Sequence, residues 1–197
     1  GDGADLIFIT TPDDVIAKIA SEVKWMRGQS VVHCSGADST AILEPARQSG
    51  AMVGSFHPLQ TFASIQRAVE NTPGSTFAIE AEEPLLSTLK EMAAALDSHC
   101  IELMPEDKAV YHASAVFASN YMVTLVKLAA DLWETLGISK EEATRALVPL
   151  LKGTLHNIET IGLPGCLTGP IARGDAGTIK KHLESLEKAA PELLPIY

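Results

Sequence analysis

The sequence predicts an α/β fold joined to an all-α portion: part of a doubly wound parallel sheet, then a set of packed helices. Three observations predict it. Residues 5–104 alternate short apolar runs with helix-patterned stretches, the order produced by strand–helix–strand units. From Pro105 onward the pattern is helical only, broken by a Gly- and Pro-rich loop at 163–175. The first run, "DLIFIT" at 5–10, is continuously apolar from Leu6 to Ile9, which suits a parallel strand covered on both faces. The division between the two portions is expected at 104/105, giving domains 1–104 and 105–197.

The elements follow in order. After "DLIFIT", Thr11 is the expected N-cap, with Pro12 at the first helical position and Asp13 and Asp14 in the first turn; proline is tolerated there and acidic groups suit the positive end of the dipole. "SVVHCS" (30–35), "AMVGSFHP" (51–58), "TFAIE" (76–80) and "HCIELM" (99–104) read as further strands. Helices are expected at 40–50, closed by Gly50, and at 83–96. One long helix is expected over 105–136, closed by Gly137. Another spans 139–162, with Ser139 and Glu142 as a capping box and Pro149 as an expected kink. Asp175 caps a last helix.

Composition narrows the function. With 46% hydrophobic residues in 197, a sizeable core forms. A formal charge of −10 argues against nucleic acid or an anionic membrane as the main partner. The most apolar stretch, 109–133, contains Ser114, Ser119, Asn120, Lys127 and Asp131, and reads as a buried helix rather than a membrane span. The long helix would reach about 45 Å and is apolar on several faces, so a second copy of the chain is expected against it. Three cysteines with no C-x-x-C fit a reducing cytoplasm. No zinc-type spacing, nucleophile elbow or P-loop occurs, so no metal site is expected.

Candidate chemistry gathers in three places. Ligands of open parallel sheets bind beyond the carboxyl ends of the strands, which selects "TTPDD" (10–14), "HCSG" (33–36) and "HPLQTF" (57–62). His33 either packs a strand end or faces a ligand, and His57, held extended by Pro58, either bonds a backbone carbonyl or works in a site. On the long helix, Lys108, His112 and Ser119 share one face and Asn120 lies one position round. That polar stripe is either an interhelical hydrogen-bond network or the wall of a substrate cleft between the domains. In "LTGPIARGD", Arg173 either grips an acidic group or braces the turn against Asp175.

The succession "DLIFITTPDDVI", "HCSGADS", "GSFHPLQTF", "EDKAVYHASAVFASNY" and "LTGPIARGD" resembles a bacterial family of NADP-dependent oxidoreductases of unknown substrate. That family pairs a Rossmann-like domain with a helical domain similar to the C-terminal part of 6-phosphogluconate dehydrogenases. More distant similarity reaches the prephenate and β-hydroxyacid dehydrogenases. The latter carry a Lys and an Asn one turn apart, whereas here His112 follows Lys108 by one turn and Asn120 comes two turns later.

The resemblance implies a hydride exchanged between NADP, or NAD, and a small carbonyl, alcohol or imine. Thr10, Thr11, Pro12, His33, Ser35 and Gly36 would line the cofactor side; His57, Lys108, His112 and Asn120 would serve proton transfer and polarisation; Thr168 and Arg173 would bind substrate. It also implies that the first strands of the sheet and their glycine-rich turn, roughly two β-α units of about 30 residues each, precede Asp5 in a longer protein. This piece alone is then expected to bind NADP weakly or not at all, while its helical half folds and forms a homodimer through 105–136. The rival reading is a non-enzymatic regulatory or scaffold protein that senses a nucleotide or metabolite on the same fold.

Overall fold

In a computed structural model describing residues 3–197, the chain forms two compact units, Gly1–Asn120 and Tyr121–Tyr197. The first carries a five-stranded sheet whose spatial order is its chain order: β1 (Leu6–Ile9), β2 (Ser30–His33), β3 (Met52–Leu59), β4 (Thr76–Ala81) and β5 (His99–Glu102). β1, β2 and β3 are parallel, β4 runs antiparallel to β3, and β5 is parallel to β4. The sheet is therefore mixed.

Four helices belong with it: α1 (Asp13–Glu22), α2 (Glu44–Gln48), α3 (Ile65–Asn71) and α4 (Leu85–Ala95). The return between β3 and β4 explains the mixed order. A parallel connection needs a crossover segment packed on a face of the sheet. The link 60–75 holds only α3, which buries none of its residues, so the chain turns back beside β3. The sequence reading held no helix there; its start is a Ser64 hydroxyl accepting from the Arg67 N–H at 3.3 Å.

Side-chain alternation splits the core in two, because successive strand residues face opposite ways. Val31 and Val53 pack with Ile16 and Ala20 of α1 and Leu43 and Ala46 around α2. Val32, Phe56, Phe77 and Ile79 pack with Leu85, Leu89 and Ala93 of α4 on the other face. Phe56 and Phe77 stack at 4.2 Å with 14° between their planes. Helices on both faces give the Rossmann-like, doubly wound arrangement.

Two boundaries differ from expectation. α1 begins at Asp13, and Pro12 (φ −52°, ψ 149°) is still extended, so Thr11 caps nothing. The helix expected over 105–136 is two helices, α5 (Lys108–Ala118) and α6 (Asn120–Glu134), separated at Ser119 (φ −110°, ψ −65°). Serine and asparagine side chains compete for nearby backbone groups and weaken helix interiors. By contacts, α5 lies in the first unit, because Lys108 in its first turn is buried against the sheet. The second unit continues with α7 (Lys140–Ile161), α8 (Gly169–Ala172) and α9 (Ala176–Ala189). Ser139 caps α7, accepting from the Glu142 N–H at 3.3 Å, and Pro149 lies inside that helix. Asp175 caps α9 through the Thr178 N–H at 3.0 Å.

Candidate active site

β1, β2 and β3 end at one rim. Ile9 lies level with His33, and His33 with Ser55. β3 runs on to Leu59, which carries His57 past its neighbours on the same face as Ser55. α5 approaches that face and contributes three residues of one helical patch, Lys108, Tyr111 and His112, at offsets of three and four.

Lys108 is 1% exposed. Its ammonium donates to the Ser35 carbonyl at 3.2 Å and to the Ser55 hydroxyl, and it lies 3.9 Å from a Glu80 carboxylate oxygen. Burial pulls the Lys108 pKa down, and Glu80 pulls it back up. Glu80 is in turn held by the Thr40 N–H at 3.0 Å and the Thr40 hydroxyl at 2.7 Å. The cation is thus satisfied by protein groups and fastens the turn after β2 to β3 and β4.

That turn is tied a second way. The Ser35 hydroxyl lies 2.7 Å from Asp13 and 3.0 Å from Asp38, and its oxygen accepts the Asp38 N–H at 3.1 Å. The Ser35 N–H donates to His33 Nδ1 at 3.1 Å. A ring nitrogen that accepts is unprotonated, so the His33 proton sits on Nε2, which faces the Ser39 backbone short of a well-formed hydrogen bond. His33 is fully buried, and burial, aided by Lys108, lowers its pKa from 6.5 to about 4.

This sets a pH dependence. The folded pKa lies below the unfolded one, so the stability contribution is complete above about pH 6.5 and is lost as pH falls toward 4. By pH 5 His33 alone should remove about 2 kcal/mol, and a His33→Gln variant should show a flatter profile. Urea unfolding at pH 7 and pH 5 measures both.

Above the cation, two imidazoles meet. His57 and His112 have ring centroids 5.8 Å apart and nearly perpendicular planes, and His57 Nδ1 lies 2.9 Å from the Tyr111 hydroxyl. Burial, then His112 and Lys108, lowers the His57 pKa from 6.5 to about 4. Both rings close on the backbone of Gly36: a methyl group there would sit 2.6 Å from His112 Cδ2 and 2.7 Å from His57 Nε2. Real carbon contacts are not that short, so Gly36→Ala should push the two rings apart while leaving the sheet intact. Crystallography or histidine NMR shifts would report the displacement.

The structure thus brings together His57, Lys108, His112, His33, Ser35 and Gly36, with Thr10, Thr11 and Pro12 on the same rim. Asn120 is exposed and opens α6 beyond the break at Ser119. Thr168 and Arg173 are exposed at the two ends of α8 in the second unit, and Asp175 spends its carboxylate on Thr178. Tyr111, Glu80 and Ser55 escaped the sequence reading. Tyr111 shares the helical patch of Lys108 and His112, and Glu80 is a lone charge inside the apolar strand "TFAIEA"; both were available signals. Among the described residues no cluster of three His, Cys, Asp or Glu side chains is placed to hold a metal ion.

Comparison with known proteins places the fold. No protein of curated function matches the chain. A structure of the protein TM1727 from Thermotoga maritima is 30% identical, with a TM-score of 0.80, over 93% of this chain and 70% of that one. The "putative NADP oxidoreductase BF3122" from Bacteroides fragilis is 25% identical, with a TM-score of 0.75, over 98% of this chain and 72% of the other. The pyrroline carboxylate reductase of Plasmodium falciparum, solved with NADP bound, shares the fold at 16% identity and a TM-score of 0.61, over 95% of this chain and 70% of the other. A family model described as a domain of unknown function, DUF2520, matches residues 75–197, from β4 through the helices. The chain belongs to the DUF2520 family.

Proposed function

We propose that this protein is an NADP-dependent oxidoreductase that reduces a small carbonyl or imine at the rim formed by β1, β2, β3 and α5. The observation that carries the reading is the meeting of His57 and His112 over side-chain-free Gly36, at the carboxyl ends of three parallel strands. The fold shared with the NADP-bound reductase supports it.

The rim fits one end of the cofactor. Thr11 Oγ1 is buried without a partner, and a buried hydroxyl of that kind costs free energy until something bonds it. Gly36, lacking a side chain, lets His57 and His112 pack against the backbone at this rim. α1 starts with Asp13 and Asp14 and no cation, which suits hydroxyl and amide groups and opposes phosphates. Thr10, Thr11 and Pro12 would therefore hold the nicotinamide and its ribose, with buried Ser35 and Gly36 forming the wall behind them. When bound, that group supplies the hydride.

The protein's own part is the second half of the reduction. The oxygen or nitrogen that gains charge must be polarised and then protonated. Lys108 is too enclosed to touch a substrate, and its positive charge lies beneath the site, where it favours developing negative charge. His57 and His112 are the groups that reach the ligand, His57 as polariser and His112 as proton donor. Asn120, at the start of α6, would orient the substrate.

The test is to follow nicotinamide absorbance while the full-length protein meets a panel of small oxo-acids, ketones and imines. NADPH consumption with at least one of them is expected. Tight NADPH binding with no consumption across the panel would favour the sensor reading.

The same reading includes a homodimer through 105–136. Val110 is 75% exposed, Phe117 66% and Val123 69%, and isolated proteins rarely leave such a run uncovered. Pro105–Glu134 is also the one stretch among the described residues long and apolar enough to cross a membrane, with a mean hydropathy of 1.3, and only 6% of its most apolar window is buried within one copy of the chain, unlike the buried helix expected from the sequence. Light scattering of detergent-free protein at micromolar concentration should give a dimer mass; a stable monomer would remove the argument. The three free cysteines support a reducing compartment such as the cytoplasm.

A further inference from the structure

We propose that Tyr111 sets the tautomer of His57, donating its hydroxyl proton to Nδ1 so that His57 presents a fixed Nε2–H to the ligand. Tyr111 is then a positioning residue, and His57 polarises without giving up a proton. The inference rests on the reading of this rim as the substrate pole.

The geometry leaves two arrangements. The 2.9 Å contact between Tyr111 and His57 Nδ1 admits a donor on either side. If Nδ1 held the proton, the phenol would accept, and its own proton would have no protein acceptor among the described contacts. Nε2 would then turn a bare lone pair toward Gly36 and His112, and could only receive a proton there. If the phenol donates, its proton and the Nδ1 lone pair are both satisfied, and Nε2 carries a hydrogen that would be offered to a substrate's oxygen or nitrogen entering the rim beside Gly36 and His112. In a neutral histidine the hydrogen bond made by one nitrogen decides what the other can do.

The surroundings keep both partners in the required state. Burial pushes the Tyr111 phenol up to about 12, so it holds a proton to donate. His57 is faced by Tyr111, His112 and Lys108 from α5 and by Asp13 from α1. The two cationic-capable groups and burial outweigh the single carboxylate and hold the ring neutral near pH 7. A neutral donor is a poor acid, so the transferred proton comes from another group; His112, whose ring lies across the same gap, is the one in position.

The consequence is a division of labour between two adjacent histidines that their sequence positions do not reveal. His57 should behave as an amide-like donor, replaceable by a neutral side chain that can also donate. His112 should be replaceable only by a group that can release a proton.

The test is ¹⁵N NMR of the imidazoles in full-length protein, together with Tyr111→Phe, His57→Gln and His57→Ala. The expected wild-type result is a His57 signal of the Nε2–H form that stays flat between pH 5.5 and 8. Tyr111→Phe should mix the two tautomers and lower kcat about tenfold with little change in KM. His57→Gln should keep activity that His57→Ala loses. A wild-type Nδ1–H tautomer, or a His57 titrating near 6.5, would overturn the inference. So would a Tyr111→Phe protein with unchanged tautomer and kcat. The spectrum needs no substrate, so it decides the tautomer even if the reductase reading fails; and if Tyr111→Phe does not fold, the wild-type spectrum still decides.

Discussion

Replacing Lys108 with methionine should destabilise the first unit by about 3–5 kcal/mol, the range found when one partner of a buried ion pair is removed. Three groups lose the cation at once: the Ser35 carbonyl and the Ser55 hydroxyl, which accept from it, and the Glu80 carboxylate, which pairs with it. Glu80 is only 8% exposed, so its charge stays buried, held among the described contacts by Thr40. Removing that charge as well should help: Lys108→Met with Glu80→Gln is expected to be more stable than Lys108→Met alone. Urea unfolding of the two single variants and the double variant gives the coupling directly. A loss below about 1 kcal/mol for Lys108→Met would mean that the ammonium is solvated by opening of the site, and that Lys108 is free to act on a ligand.

The second large effect is expected at His112. His112→Ala should lower kcat about 10²- to 10⁴-fold, the span associated with a positioned acid or base, and should leave the NADPH dissociation constant within about twofold. Stability should change little, because His112 is half-buried and sits on an exposed stretch of α5. A variant that loses NADPH binding and turnover together would instead place His112 on the cofactor side.

Much of this was legible in the sequence, for identifiable reasons. Buried strands give apolar runs, so β2, β3 and β4 could be read from hydrophobicity, whereas β1 is mostly half-buried and β5 is exposed throughout. Pro58 and the strand-end rule picked out His57, and helical spacing joined Lys108 to His112. The direction of β4 was not legible, because a run such as "TFAIE" reads the same whichever neighbour it pairs with; only the poor packing of α3 turns the chain back. The break at Ser119 was hidden by strong helical residues on both sides. The Lys108–Glu80 pair was hidden for a deeper reason. It joins residues far apart in sequence, and nothing local to either says that it is buried. Reading Lys108 as a substrate-facing group assigned it by position along a helix, whereas the sheet beneath that helix decides its role.

Hydride should reach a substrate at the His57–His112 rim. NADPH carrying deuterium at C4, mixed with the best acceptor found and with wild-type and His112→Ala full-length proteins, tests it most directly. Deuterium is expected on the former carbonyl or imine carbon of the product, formed at least about a hundredfold more slowly by the variant at equal NADPH occupancy. Equal rates of deuterium transfer by the two proteins would contradict it, as would saturable NADPH binding with no label in any product.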